Sequence, residues 1–123
     1  LTGSGIETAA HARHDGRLTM MFCSFTAKPM ILRLYGRARV VRPADADWEA
    51  WLARFTPMPG QRQIIVMSIE SAQTSCGYGV PRYDFRAQRD TLCDLWEKLG
   101  PEATAYYAAE NNQQSIDGLP VTA

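Results

Sequence analysis

Two segments and one set of arginines have the residue types and spacing to do chemistry. Gln73-Thr74-Ser75-Cys76-Gly77-Tyr78-Gly79-Val80-Pro81 crowds polar, small and turn-forming residues directly after the apolar run Ile64-Ile65-Val66-Met67-Ser68-Ile69. Such residues at the end of a buried strand cost stability unless backbone must come close to something, so a ligand is first expected there. Thr2-Gly3-Ser4-Gly5 stands just before a helix, where free N–H groups, the positive helix end and two hydroxyls converge on one spot suited to a phosphate. The pattern matches neither a P-loop nor a Rossmann fingerprint, and a simple helix cap is its alternative. Arg33, Arg37 and Arg39 share one strand face and, joined by Arg62 and Arg82, could hold a phosphate through charge-assisted hydrogen bonds or stand solvated at the surface.

The histidines and cysteines promise less. His11 and His14 lie three apart on a helix, a spacing that can aim both rings at a metal, but no third ligand at a known spacing accompanies them and no metal is expected. Near a helix C-terminus two surface histidines are favourable in any case. A catalytic Cys76 would need a base beside it to form thiolate, and the sequence supplies none. Cys23, Cys76 and Cys93 are odd in number and far apart, with neither a C-x-x-C pair nor zinc spacing, which fits reduced thiols in the cytoplasm.

The elements that must position these residues follow from periodicity and turn chemistry. Ser4-Gly5-Ile6-Glu7 fits a capping box opening a helix over Glu7 to His14, which Asp15-Gly16 ends. Leu18 to Phe25 is apolar on both alternating faces and predicts a central strand covered on both sides. From Met30 to Val41 the alternation is clear, with Leu32, Leu34, Gly36, Ala38 and Val40 on one face and Arg33, Tyr35, Arg37 and Arg39 on the other. Asp45 or Asp47 can cap a helix carrying Trp48, Trp51, Leu52 and Phe55 as one apolar stripe, closed by Pro57-Met58-Pro59-Gly60. A strand over Gln63 to Glu70 leads into the glycine-containing segment. A helix over Asp90 to Leu99 is broken by Gly100, and Pro101 starts another containing Tyr106 and Tyr107. Ile116-Asp117-Gly118-Leu119-Pro120 reads as a docking turn. Trp48, Trp51 and Trp96 are expected in the core or at a subunit contact.

Length and charge bound the rest. The 123 residues, 46% of them hydrophobic, suit one domain with one core, and 13 basic against 13 acidic side chains leave no net pull toward nucleic acid or an anionic membrane. The apolar runs are strand-sized, far short of the roughly 20 residues of a membrane-spanning helix, and a cytoplasmic protein is expected. The chain opens on Leu1-Thr2-Gly3 without an initiator methionine and enters a helix at once, as a fragment of a longer domain would. Strands in the first two thirds with helices inserted and appended predict an antiparallel α+β or barrel-type fold.

Taken together, Leu1 to Thr8, Gly16 to Cys23, Leu32-Arg33-Leu34-Tyr35-Gly36-Arg37-Ala38, Gln73 to Pro81 and Ser115 to Pro120 resemble the pyridoxamine 5′-phosphate oxidase-related flavoproteins. The resemblance implies an antiparallel split β-barrel built as a homodimer, with FMN in grooves between the subunits and an oxidoreductase reaction of unknown substrate. It also implies residues: Thr2, Ser4 and Thr8 match the positions that hold the FMN phosphate, and Gln73, Ser75 and Cys76 are placed to meet the flavin ring or its substrate. Where the family oxidase uses basic residues ahead of the helix, this chain has Gly3 and Gly5. Family members usually carry a helix and a first group of strands ahead of the point matching Leu1, so the N-terminal part of the barrel is expected to be missing from residues 1–123. Two alternatives stand beside this: a non-catalytic split-barrel module holding flavin, haem or a deazaflavin, and a cofactor-free dimeric interaction domain.

Overall fold

The computed structural model describes residues 1–121. Helix α1 (Glu7–His14) leads through Gly16 into strand β1 (Arg17–Cys23), followed by β2 (Ile31–Val41), a short helix α2 (Trp48–Leu52), β3 (Ile64–Ser75) and the long helical run α3 (Thr91–Asn111). The strands form one antiparallel sheet in the order β1-β2-β3. An antiparallel α+β architecture is therefore present, and no closed barrel forms among the described residues.

Strand β2 sits at the centre because its alternation lets both neighbours pair with it along their length. The register sets Met20 against Leu34 and Phe22 against Leu32 on one side, and Ala38 against Met67 and Val40 against Ile65 on the other. These residues, with Leu18 and Ile69, make one sheet face apolar, as residues directly opposite must share a face. Between Tyr35 and Gly36 the register slips by one residue of β3, leaving Glu70 unpaired as a bulge. Gly36 is the residue that this bend requires, since a Cβ there would lie 2.0 Å from the Ser68 carbonyl oxygen.

β1 corrects the sequence reading of a covered central strand. It is an edge strand, and Met21 and Phe22 are half exposed or more. Hydrophobicity on both faces of a strand reports surfaces that need covering, and among the described residues most of β1 is left uncovered. The capping box is also absent. Helix α1 begins after Ile6 without a side-chain cap, and the Glu7 carboxylate instead accepts from the Ile116 N–H, 109 positions away. Likewise Asp47 does not cap α2: its Oδ2 accepts from the Arg39 guanidinium and from Trp51 Nε1 at 3.0 Å.

The buried core is small and lies at one end of the sheet. Ile6, just before α1, and Ala9 and Ala10 within it pack with Val121 against Val40 and Leu119, so the turn at residues 115–121 docks as its apolar residues suggest, although Ile116 stays outside. Gly100, at φ 79, divides α3 into the two helices expected from Gly100-Pro101. Trp48 and Trp96 are buried, and Trp51 is partly covered by the Arg54 guanidinium 4.9 Å from its ring centre. The accessible surface is 9086 Å², whereas a compact monomer of this size exposes about 6,600 Å². No helix among the described residues is long and apolar enough to cross a membrane.

Candidate functional site

The residues singled out by sequence fall into two groups at opposite ends of β3. The first surrounds the segment before α1. Thr2 is fully buried, its N–H and hydroxyl both donating to the Gly60 carbonyl at 2.6 and 2.9 Å, and its own carbonyl accepts from Trp96 Nε1 at 2.8 Å. Its hydroxyl is thus turned into the protein, a position that a helix-start pattern does not disclose. Ser4 and Thr8 are exposed. Gly3 and Gly5 face open space, and a Cβ at either would meet nothing within 4 Å.

The backbone between these residues is held from one side. Arg62 Nη1 donates to the Gly3 carbonyl at 3.3 Å and to Asn112 Oδ1, and Nη2 donates to the Gly5 carbonyl. Asn112 Nδ2 donates to Gly3 at 2.9 Å and to Ser4 at 3.4 Å. Partial burial lowers the Arg62 pKa, as expected for a cation taken out of water. Arg62 therefore does not join the strand arginines. Those are also engaged: Arg33 with Ser75, Arg37 with Glu70 and the Asp15 carbonyl, Arg39 with Asp47.

The second group lies where β3 ends. Tyr35 OH donates to Gln73 Oε1 at 3.2 Å, and Arg33 Nη1 donates to Ser75 Oγ at 3.1 Å. The two pairs form an exposed polar platform across β2 and β3, with donors and an amide able to meet the edge of a planar heterocycle. Sequence reasoning named Gln73 and Ser75 but not Tyr35, and it assigned Arg33 elsewhere. Only the register, with Arg33 opposite Gln73, could have joined them. Cys76 is exposed beside this platform. Gly77, at φ 66, packs so closely that a Cβ would lie 2.7 Å from the Met30 N atom, so the near approach that glycine permits there is to the chain's own hairpin.

From Ile64 to Ser75 the strand spans roughly 35 Å, farther than the two ends of one mononucleotide.

Ligand-type atoms of Glu7, His11 and Asp117 meet within 4.8 Å at the solvent surface, while His14 takes no part. Each already has a protein partner. The Glu7 carboxylate receives the Ile116 N–H, Asp117 accepts from Ser115 Oγ, and His11 Nε2 stands 3.4 Å from Asp117 Oδ1. The trio latches the docking turn to α1.

Comparison with known proteins gives a relative along almost the whole chain. It is 35% identical, over 134 aligned positions, to the pyridoxamine 5′-phosphate oxidase family protein ustO of Aspergillus flavus, covering 97% of this chain and 54% of the relative. The chain thus spans about half the length of that relative. No family model matches it, and no solved structure does.

Proposed function

We propose that this chain, which belongs to the pyridoxamine 5′-phosphate oxidase family, contributes to an FMN-binding split β-barrel that works as a homodimeric oxidoreductase. Family membership implies the cofactor and the barrel. The observation that carries the reading to this chain is the separation of its two polar groups by the length of β3. One FMN spanning a subunit contact can take its phosphate site from one copy and its ring platform from the other. A two-fold axis would then give two equivalent sites.

The residues present fit such a ligand. Beside Gly3 and Gly5 no side chain crowds the backbone, and the exposed Ser4 and Thr8 hydroxyls flank the positive end of α1. Ser4, Thr8 and the helix-start N–H groups would hold the phosphate, while Thr2 fixes the segment from beneath through Gly60. Tyr35, Gln73, Arg33 and Ser75 would orient the ring by hydrogen bonds, with Cys76 at its margin. When bound, FMN supplies the two-electron chemistry, and the protein's part is binding, orientation and electrostatic tuning. No side chain of this chain need act as an acid or base.

The exposed surface supports a partner. Roughly 2,500 Å² beyond that of a compact monomer is about three times what one side of a standard interface buries. That same surface is what a cofactor-free dimeric interaction domain would show, and this is the second reading.

The experiment is a visible absorption spectrum of the purified chain and of any longer product of its gene, with mass spectrometry of whatever heat releases and sedimentation for the oligomer. Flavin bands with a released FMN mass are expected. Haem or a deazaflavin would make the domain a different binding module. A dimer with no chromophore would support the interaction reading.

A further inference from the structure

Gly3, Ser4 and Gly5 turn successive carbonyls toward the same two side chains, Arg62 and Asn112. No peptide bond among the described residues is cis. In a trans peptide the N–H points opposite to the carbonyl of the same unit. The N–H groups of Ser4, Gly5 and Ile6 are therefore directed away from Arg62 and Asn112, and none of them donates within the protein among the described residues. Just beyond them stand the N–H groups of Glu7 and Thr8 in the first turn of α1, while those of Ala9 and Ala10 donate to the Ile6 carbonyl. The result is a run of backbone donors facing outward at the positive end of a helix, behind which both Nη atoms of a guanidinium donate to carbonyl and amide oxygens. Arg62 Nε is buried and has no partner among the described residues.

Resting on the FMN reading above, we infer that Arg62 and Asn112 are positioning residues for the phosphate: they anchor the three carbonyls and so present the N–H groups of Ser4, Gly5 and Ile6 as its cradle. The arrangement accounts for glycine where the family oxidase carries basic residues. Here charge is supplied from behind the backbone, and Gly3 and Gly5 leave the front of the cradle open. The inference also accounts for a partly buried arginine whose hydrogen bonds all end on one loop and its neighbour.

The test compares the affinities of FMN and riboflavin, which differ only in the phosphate, by flavin fluorescence titration of the dimer with Arg62→Lys and Asn112→Ala. Each variant loses anchors of charge-assisted or amide type, so FMN affinity should fall about tenfold or more while riboflavin affinity changes by less than about twofold. Asn112→Ala is decisive, because it removes no charge and no group that could reach the phosphate as a cation. If FMN affinity falls in Arg62→Lys but not in Asn112→Ala, Arg62 contacts the anion directly and the inference is overturned. If both flavins weaken in parallel in both variants, the pair merely supports the fold, which also overturns it. Thermal unfolding of the same samples identifies that case. Wild-type protein that binds neither flavin defeats the cofactor reading itself, a result separable from either of the others.

Discussion

Trp96 Nε1 donates a 2.8 Å hydrogen bond to the Thr2 carbonyl, tying α3 to the segment before α1 across 94 positions. Gly60 completes the joint. It accepts both donors of Thr2 and lies so close under the indole that a Cβ would stand 2.3 Å from Trp96 Cδ1. Its φ of 72 is also one that a side chain disfavours. Gly60→Ala should therefore lower stability by about 2 to 4 kcal/mol, from backbone strain and overpacking together. Urea unfolding measures this. A loss below the error of the method would mean that the indole moves aside freely.

The carboxylates at the surface give an acid-side dependence. Ser115 Oγ donating to Asp117, with His11 beside it, holds that carboxyl below its ordinary value of 3.8, and the backbone and side chain of Arg17 do the same for Asp15. A carboxyl depressed in the fold contributes stability above its unfolded pKa and loses it as pH falls through the folded value. Stability should thus decline below about pH 4, with the docking turn loosening first. Asp117→Asn removes the titrating group, so the stability gap between wild type and variant should narrow between pH 7 and pH 3. An unchanged gap would show that Asp117 gains nothing from its partners.

How much of this was legible beforehand depends on the range of each interaction. The two faces of β2, helix α1, the break at Gly100-Pro101 and the docking turn follow from patterns within a few residues, and all are present. The hydrogen-bond partners of Glu7, Thr2 and Asp47 are not legible locally, because Ile116, Gly60 and Arg39 belong to other elements. Gln73 and Ser75 were visible as polar residues at a strand end. Their partners Tyr35 and Arg33 depend on a bulge at Glu70 that no local pattern announces. β1 was misplaced for a different reason: an apolar residue marks a surface that something should cover, without saying whether this chain supplies the cover.

Ser4 tests the phosphate assignment directly. Ser4→Glu would place a bulky anion where the phosphate is proposed to sit, next to backbone donors that the carboxylate itself could occupy. FMN affinity should drop by about a hundredfold, since loss of charge-assisted hydrogen bonds and like-charge repulsion add. Unchanged affinity in a fluorescence titration would remove Ser4 from the site.

Cys76 is exposed, beside the platform but in none of its hydrogen bonds among the described residues. Cys76→Ser keeps size and a weak donor, so flavin binding, and turnover once a substrate is known, should stay within about threefold of wild type. A large loss confined to turnover would give the thiol a chemical role.

The apolar sheet face makes the last claim. Met20, Phe22 and Ile69 lie on it and are 40%, 50% and 58% exposed, and the register places them with Leu18, Leu32 and Leu34 on one side of the sheet. A single-copy protein rarely leaves so continuous an apolar area in water. If a partner copy covers this face, a charge there must be desolvated on association, at a cost of several kcal/mol. Phe22→Asp should then shift the sedimentation equilibrium toward monomer and lower flavin affinity with it, because the proposed site draws on both copies. The same change at Tyr78, exposed in the segment that follows β3, should leave assembly unaltered. A Phe22→Asp protein that remains fully dimeric would place the subunit contact elsewhere.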